Sequence, residues 1–199
     1  MTPPTGDTPT GDTPVAGGHD DHRRPIVVLI GFMGAGKSTV GRILADRFAT
    51  DFVDTDEEIV RRTGRSIPEI FADGGVARFR EIERDIVLGV LASHPGVVSL
   101  GGGAVTTGAV AEALTAHRVV HLRIGADTGY ARVAGTDRPL LAGADPEASY
   151  RGLLDERSPT YARLATVDVD AAAGTPEEIA DYIATEIAGP AGAASERTP

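Results

Sequence analysis

The stretch Val27-Val28-Leu29-Ile30-Gly31-Phe32-Met33-Gly34-Ala35-Gly36-Lys37-Ser38 leaves a chain few folds to choose from. A short apolar run, Pro25 to Ile30, stops at a glycine and reads as a buried strand. Gly31 to Ser38 then fits the phosphate-loop pattern G-x-x-x-x-G-K-[ST]. Val40, Ile43, Leu44 and Phe48 follow at helical spacing, so Ser38–Phe48 is expected to be an amphipathic helix. In such a strand–loop–helix unit the glycines let backbone N–H groups turn inward around phosphate oxygens. The helix N-terminus adds its partial positive charge. Lys37 is placed to reach the β- and γ-phosphates, and Ser38 to ligate Mg²⁺. Lys37 is also the only lysine in the chain; arginine fills every other such position. A compact ammonium can follow a transferring phosphoryl group where a planar, forked guanidinium is bulkier. The competing reading, a glycine-rich turn that merely caps a helix, leaves this strand and spacing unexplained. The motif implies a nucleoside triphosphate and leaves the phosphate acceptor open.

The rest of the chain alternates in the same way. Further strands are expected at Asp51–Asp54, Val97–Leu100, Val119–Ile124 and Ala165–Val169. Ser66-Ile67-Pro68-Glu69 has the form of a capping box before a short helix. A longer helix is expected over Val76–Ala92, with others at about 107–116, 126–134, 147–156 and 175–187. Repeated β–α alternation implies a parallel sheet with helices on both faces. Ligands on such sheets bind at the C-terminal ends of the strands. Residues 1–24 repeat Thr-Gly-Asp-Thr-Pro and are expected to be a disordered tail, as are 189–199. The ordered domain is then 25–188. His19-Asp20-Asp21-His22 lies in the tail, without a scaffold to fix ligand geometry, and reads as solvated rather than metal-binding.

Composition excludes several classes. With no cysteine there is no disulfide, thiolate metal site or cysteine nucleophile. A net charge of −10 argues against nucleic-acid and anionic-membrane binding, while leaving room for a locally basic pocket. No apolar run approaches a membrane span, and the first residues lack the apolar core of a secretory signal. A cytoplasmic protein is expected.

Several residues are candidates for the acceptor side. Asp54-Thr55-Asp56 follows the second strand, and alternation along an extended chain puts both carboxylates on one face. One would hold Mg²⁺ through water and the other accept a proton from a substrate hydroxyl; alternatively Asp56 caps a helix starting at Glu57. Arg80 sits on a helix and suits either bidentate carboxylate binding or a solvated face of Glu–Arg pairs. Gly101-Gly102-Gly103 ends a strand, where a ligand can touch backbone or the chain can simply turn. Arg138 lies between Gly135 and Gly143 in a loop with the form of a mobile lid, about 134–145. Arg157 and Tyr161 lie in Arg157-Ser158-Pro159-Thr160-Tyr161, where a lone arginine is ordinarily at the surface.

Taken together and in this order, these elements resemble the shikimate kinase family. The resemblance covers about residues 25–188 and rests on Gly31–Ser38, "DTD" at 54–56, "FREIE" at 79–83, "SLGGGAV" at 99–105, "DRPLL" at 137–141 and "RSPTY" at 157–161. It implies a P-loop kinase of the nucleoside monophosphate kinase type, an α/β fold with a five-stranded parallel sheet. It implies transfer of the γ-phosphate of ATP to the 3-hydroxyl of shikimate, in the route to chorismate and aromatic amino acids. ATP and Mg²⁺ would be required, and the protein would work as a monomer.

By the same resemblance Asp56 would bind the shikimate hydroxyls and act as base. Arg80 and Arg157 would grip the carboxylate, and the Gly102 and Gly103 backbone would contact the substrate, within a substrate-binding segment of about 55–83. Lys37 and Arg138 would act on the phosphates. Gly34, Ala35, Gly36, Lys37, Ser38 and Thr39 would cradle ATP, with Arg132 and Pro176 sandwiching adenine. Asp54, held by Ser99, would support the Mg²⁺ ligated by Ser38. Some relatives carry a basic residue just before the proline matching Pro176; here the run is Ala172-Ala173-Gly174-Thr175, and that contact to ATP is not expected.

The rivals are another small-molecule kinase of this fold, such as a gluconate or nucleotide kinase, and a non-catalytic nucleotide-binding regulator. Two arginines placed for a carboxylate beside a glycine triplet disfavour a nucleotide acceptor. Asp56 and Arg138 disfavour a regulator without turnover.

Overall fold

The computed structural model describes residues 24–136 and 138–189. The tails expected at either end, including His19–His22, lie outside the described residues, apart from Arg24 and Gly189 at their inner edges, as does Asp137 of the lid. Five strands form one parallel sheet: β1 (Val27–Ile30), β2 (Phe52–Asp54), β3 (Val97–Ser99), β4 (Val119–Arg123) and β5 (Val167–Asp170), in the order β2-β3-β1-β4-β5. The central strand reads Val-Val-Leu-Ile and is buried on both faces, as a strand covered by helices on each side must be. At the β5 edge the sequence Val-Asp-Val-Asp alternates instead, with its carboxylates toward water.

Seven helices surround the sheet: α1 (Lys37–Arg47), α2 (Thr55–Thr63), α3 (Ile67–Ser93), α4 (Gly108–Leu114), α5 (Ala126–Val133), α6 (Pro146–Leu164) and α7 (Pro176–Ala188). The capping box is present: the Ser66 N–H donates to Glu69 Oε2 at 2.7 Å and the Glu69 N–H donates to Ser66 Oγ at 3.4 Å. The short and long helices expected after it are joined end to end as α3, bent at Gly75, whose φ of 65° and ψ of −169° no helix contains. The helix expected over about 107–116 is α4, and a 3-10 turn, Ala104–Thr106, leads into it.

The largest difference is α6. Expected to stop near residue 156, it continues to Leu164 straight through Pro159. A proline inside a helix removes one backbone bond, and here the final turns bury Arg157, Tyr161 and Leu164 against the sheet, which offsets that loss.

The chain passes from β1 to one side of the sheet, then from β3 across to β4 on the other. That reversal opens a crevice above the C-terminal end of β1, where such folds bind ligands. Gly31 turns the chain there at φ 143°, and any Cβ on it would run into the Leu122 carbonyl of β4. The loop is held from below by Tyr150 of α6, whose hydroxyl donates to the Met33 carbonyl at 2.8 Å while its ring meets Phe32 edge-on at 4.8 Å. Tyr150 reaches this position only because residue 129 is glycine; a Cβ there would overlap its hydroxyl. Gly129→Ala is therefore expected to lower stability. Displacing a buried ring costs about 1–3 kcal/mol, more than the ~1 kcal/mol that alanine gains over glycine in a helix. A thermal melt checks this, with about 2–4 °C of Tm lost per kcal/mol; a raised Tm would refute the steric argument.

Candidate active site

Because α1 starts on Gly36, a left-handed residue with φ 84°, Lys37 and Ser38 stand at the helix mouth directly beneath the loop. The Lys37 ammonium donates to the carbonyls of Gly31, at 2.9 Å, and Phe32, at 3.3 Å. Burial pushes its pKa down, while Asp56 and Asp54 pull it back up. Ser38 Oγ donates to Asp54 Oδ2 at 2.5 Å. The other Asp54 oxygen accepts the Asp56 N–H at 3.0 Å, which makes Asp54 the N-cap of α2.

Two sequence expectations are corrected here. Asp54 and Asp56 do not share a face by strand alternation: Asp54 ends β2, whereas Asp56 is in the first turn of α2. The helix cap is Asp54, so capping is not the role of Asp56. Ser99 lies opposite Asp54 in the β2–β3 register, but the hydroxyl that bonds Asp54 is that of Ser38. The carboxyl of Asp56 is buried, which raises its pKa; Asp54 adds to the rise, and Lys37, Arg138 and Arg80 oppose it.

Beside the loop lies a cavity of about 390 Å³, bounded by α2, α3, the Gly102–Gly103 turn, the lid and α6. Arg80 points into it from α3 and is not on a solvated face. Its partner is Glu83, one turn along and only 1 % exposed. Burial raises the Glu83 pKa to about 7 even with Arg80 drawing it down.

Arg157 enters from α6 and is 5 % exposed, so the surface reading of this arginine is wrong. Its Nη1 donates to the Gly102 carbonyl at 3.5 Å, its guanidinium lies over the Phe32 ring at 5.5 Å, and its buried Nε has no partner among the described residues. Tyr161, one turn further on, donates its hydroxyl to the same carbonyl.

Two glycines of the triplet, Gly101 and Gly103, are required by these side chains. A Cβ on Gly101 would lie 2.5 Å from an Asp56 oxygen and 2.9 Å from Glu83, and one on Gly103 would overlap the Arg80 guanidinium.

A second cavity, about 220 Å³, is lined by Gly34, Gly36, Lys37, Ser38 and Thr39 together with Asp54. Ala35 is buried behind it. The two cavities share four residues: Met33, Asp56, Gly102 and Arg138. A phosphate donor in the smaller and an acceptor in the larger would thus meet between Asp56 and the lid arginine. Arg138 precedes a 3-10 turn, Pro139–Leu141, whose Leu141 is buried and anchors this loop. Arg132, in the last turn of α5, donates to the Gly34 carbonyl at 3.1 Å. Pro176 opens α7 behind a second capping box, Thr175–Glu178. Neither Arg132 nor Pro176 lines either cavity.

Sequence reasoning assigned no role to Glu83, Tyr150 or Tyr161. The first had a signal in its i, i+3 spacing from Arg80, and the last in its i, i+4 spacing from Arg157. Tyr150 had none, since it acts on a residue 117 positions away.

Comparison with known proteins agrees with this geometry. Residues 33–188 match the family model described as shikimate kinase. Among curated relatives, the shikimate kinase of Mycobacterium avium (strain 104) is 51 % identical over 164 residues, covering 82 % of this chain and 93 % of the relative. That of Thermobifida fusca (strain YX) is 49 % identical over 165 residues, covering 82 % and 95 %. Among solved structures, the shikimate kinase from Acinetobacter baumannii in complex with shikimate is similar with a TM-score of 0.80 and 34 % identity, covering 84 % of this chain and 94 % of that one.

Proposed function

This chain belongs to the shikimate kinase family, and from that premise we propose how its residues divide the transfer of the γ-phosphate of ATP to the 3-hydroxyl of shikimate. The observation that carries the division is the meeting of two cavities at Asp56 and Arg138. ATP lies with its phosphates in the smaller cavity, on the backbone of Gly34–Thr39 and the α1 N-terminus. Lys37, already detached from any carboxylate hydrogen bond and resting on two carbonyls, transfers its donors to the β- and γ-phosphates. Adenine lies between Arg132 and Pro176. The acceptor occupies the larger cavity with its carboxylate on Arg157 and Arg80 and its ring against the Gly102–Gly103 backbone. Asp56 holds the reacting hydroxyl and takes its proton as the bond to phosphorus forms. Arg138 closes over both and neutralises charge on the phosphoryl oxygens, excluding water.

Ser38 and Asp54 suit Mg²⁺. They are an adjacent hydroxyl and carboxylate, an all-oxygen pair of the kind that a small hard cation takes while keeping its waters. Among the described residues no cluster of three or more acidic or histidine side chains would cage a metal, so Ser38 and Asp54 would be the protein's share of the ligands. When bound, Mg²⁺ supplies charge neutralisation between the β- and γ-phosphoryl groups. Every group in this scheme comes from one chain, so a monomer would carry the complete site. Among the described residues no helix is long and apolar enough to cross a membrane.

The test is ATP consumption with shikimate, gluconate, a nucleoside monophosphate or no acceptor. Turnover with shikimate alone is expected; equal turnover with another acceptor, or none with any, would overturn the scheme.

The pH dependence follows from the burial of Asp56. A base works only when deprotonated, so activity is present above its pKa and lost as pH falls through it. With that pKa raised above the ordinary 3.8, the acid limb of kcat/KM for shikimate is expected at higher pH than a free aspartate would give. Glu83, near 7, titrates against Asp56, so the limb belongs to the pair. A kcat/KM profile that stays flat down to the ordinary carboxylate range would count against a buried base.

A further inference from the structure

One buried titratable side chain near the site has no part in the scheme above. His121 sits on β4, opposite Ile30 of β1 and Asp168 of β5, and is 5 % exposed. Histidine in the middle of a buried strand usually has a hydrogen-bond partner for each ring nitrogen. Among the described residues Nδ1 has none: the carboxylate oxygen of Asp168 is 3.6 Å away, beyond hydrogen-bond range. Burial, with Arg123 and Lys37 adding to it, lowers the imidazole pKa against the pull of Asp168, so the ring is neutral. What the ring does have is a face. It stacks on Tyr161 of α6, with centroids 5.1 Å apart and planes 21° from parallel.

Tyr161 is itself 1 % exposed, and its hydroxyl donates to the Gly102 carbonyl, the oxygen that Arg157 Nη1 also binds. Gly102 in turn lies against the phosphate loop, where a Cβ on it would be 3.5 Å from the Gly31 carbonyl oxygen and the Met33 nitrogen. A continuous line of contacts therefore runs from a strand of the sheet, through two stacked rings, to the backbone that both cavities share.

We propose that His121 is a positioning residue for the acceptor. Its ring is the platform that seats Tyr161, so that the Gly102 carbonyl, fixed by the Tyr161 hydroxyl, holds the Arg157 guanidinium ready for the shikimate carboxylate. A flat aromatic ring is what the platform needs; the ring nitrogens are not. The proposal rests on Arg157 being a carboxylate ligand, the reading given above. His121 lines neither cavity, and its effect is larger on shikimate than on ATP because the Gly102 carbonyl that Tyr161 binds is the one that holds Arg157, while Tyr161 makes no hydrogen bond to Lys37 or Ser38.

The experiment is a set of shikimate and ATP KM values for His121→Ala, His121→Phe, His121→Leu, Tyr161→Phe and the double variant His121→Ala/Tyr161→Phe, with Arg157→Lys as a reference. The alanine variant is expected to raise the shikimate KM by roughly tenfold, equivalent to about 1.4 kcal/mol of binding, with a much smaller change in the ATP KM. His121→Phe is expected to restore shikimate KM to within about twofold of the parent, whereas His121→Leu, which fills the space without a flat ring, is expected to stay near the alanine value; equal rescue by leucine would make the role one of packing alone. Tyr161→Phe is expected to raise it as the alanine variant does, and the two changes together to cost less than their sum, since both act through one hydrogen bond. Should the alanine variant fail to melt cooperatively, His121→Leu takes its place in the same comparison. An unchanged shikimate KM, equal rises for both substrates, a phenylalanine variant no better than alanine, or strict additivity would each overturn the proposal. If instead Arg157→Lys leaves the shikimate KM at the parent value, it is the carboxylate assignment that fails, and the two failures are distinguishable.

Discussion

Asp56→Asn is expected to lower kcat by about 10²–10⁴-fold, the range lost with a positioned acid–base group. Asparagine preserves the shape of the side chain in the first turn of α2 and removes only its capacity to accept a proton. The helix keeps its cap, because Asp54 makes that hydrogen bond. The phosphate loop keeps its geometry, because that depends on Gly31, Gly36 and Tyr150. ATP KM should therefore move by no more than a few-fold. The alternative role for an acid at this position, complementing the helix dipole, is worth only about 0.3–1 kcal/mol and would appear in Tm and not in turnover. Steady-state kinetics with a melt alongside separates the two. Near-parental kcat with a lowered Tm would remove Asp56 from the chemistry.

The second large effect concerns the acceptor carboxylate. Arg157→Lys and Arg80→Lys keep the charge and lose the fork that matches a carboxylate, so both should weaken shikimate far more than ATP. Truncation to alanine should cost more still. A hydrogen bond to a charged group contributes about 1.5–3 kcal/mol, or roughly ten- to a hundredfold in shikimate KM. Arg157 is expected to show the upper end, being buried with an unpartnered Nε. Arg80→Ala adds a complication, since it leaves Glu83 buried without its partner. An isolated buried carboxylate would be strongly destabilising, but with a pKa of about 7 Glu83 takes up a proton instead. The variant should fold, and Arg80→Ala/Glu83→Gln should match it in shikimate KM. Equal changes in the two substrates' KM values would mean that these arginines do not define the acceptor pocket.

The α/β class, the strand count and the phosphate loop were legible in the sequence because each is encoded locally. A phosphate loop is a run of eight adjacent residues, and once a strand precedes it and a helix follows, its backbone has little freedom left. The same holds for the capping box at Ser66–Glu69, whose reciprocal bonds join residues three apart. Knowing that Arg80, Asp56, the glycine triplet and Arg157 belong together took the resemblance to a family, since nothing in their separate surroundings joins them.

Packing settled the remainder. No local signal carries α6 through Pro159, because the helix survives there on contacts its final turns make with the sheet rather than on propensity. That extension turns Arg157 and Tyr161 inward, onto a carbonyl 55 and 59 residues away. Glu83 becomes a titratable partner near neutrality only when burial strips it of water. His121 becomes a platform only when β4 and α6 are brought face to face. Residue type and spacing determine which bonds a segment can make with its neighbours; burial and long-range approach, which come from the folded core as a whole, determine which charges lose their solvent and which rings meet.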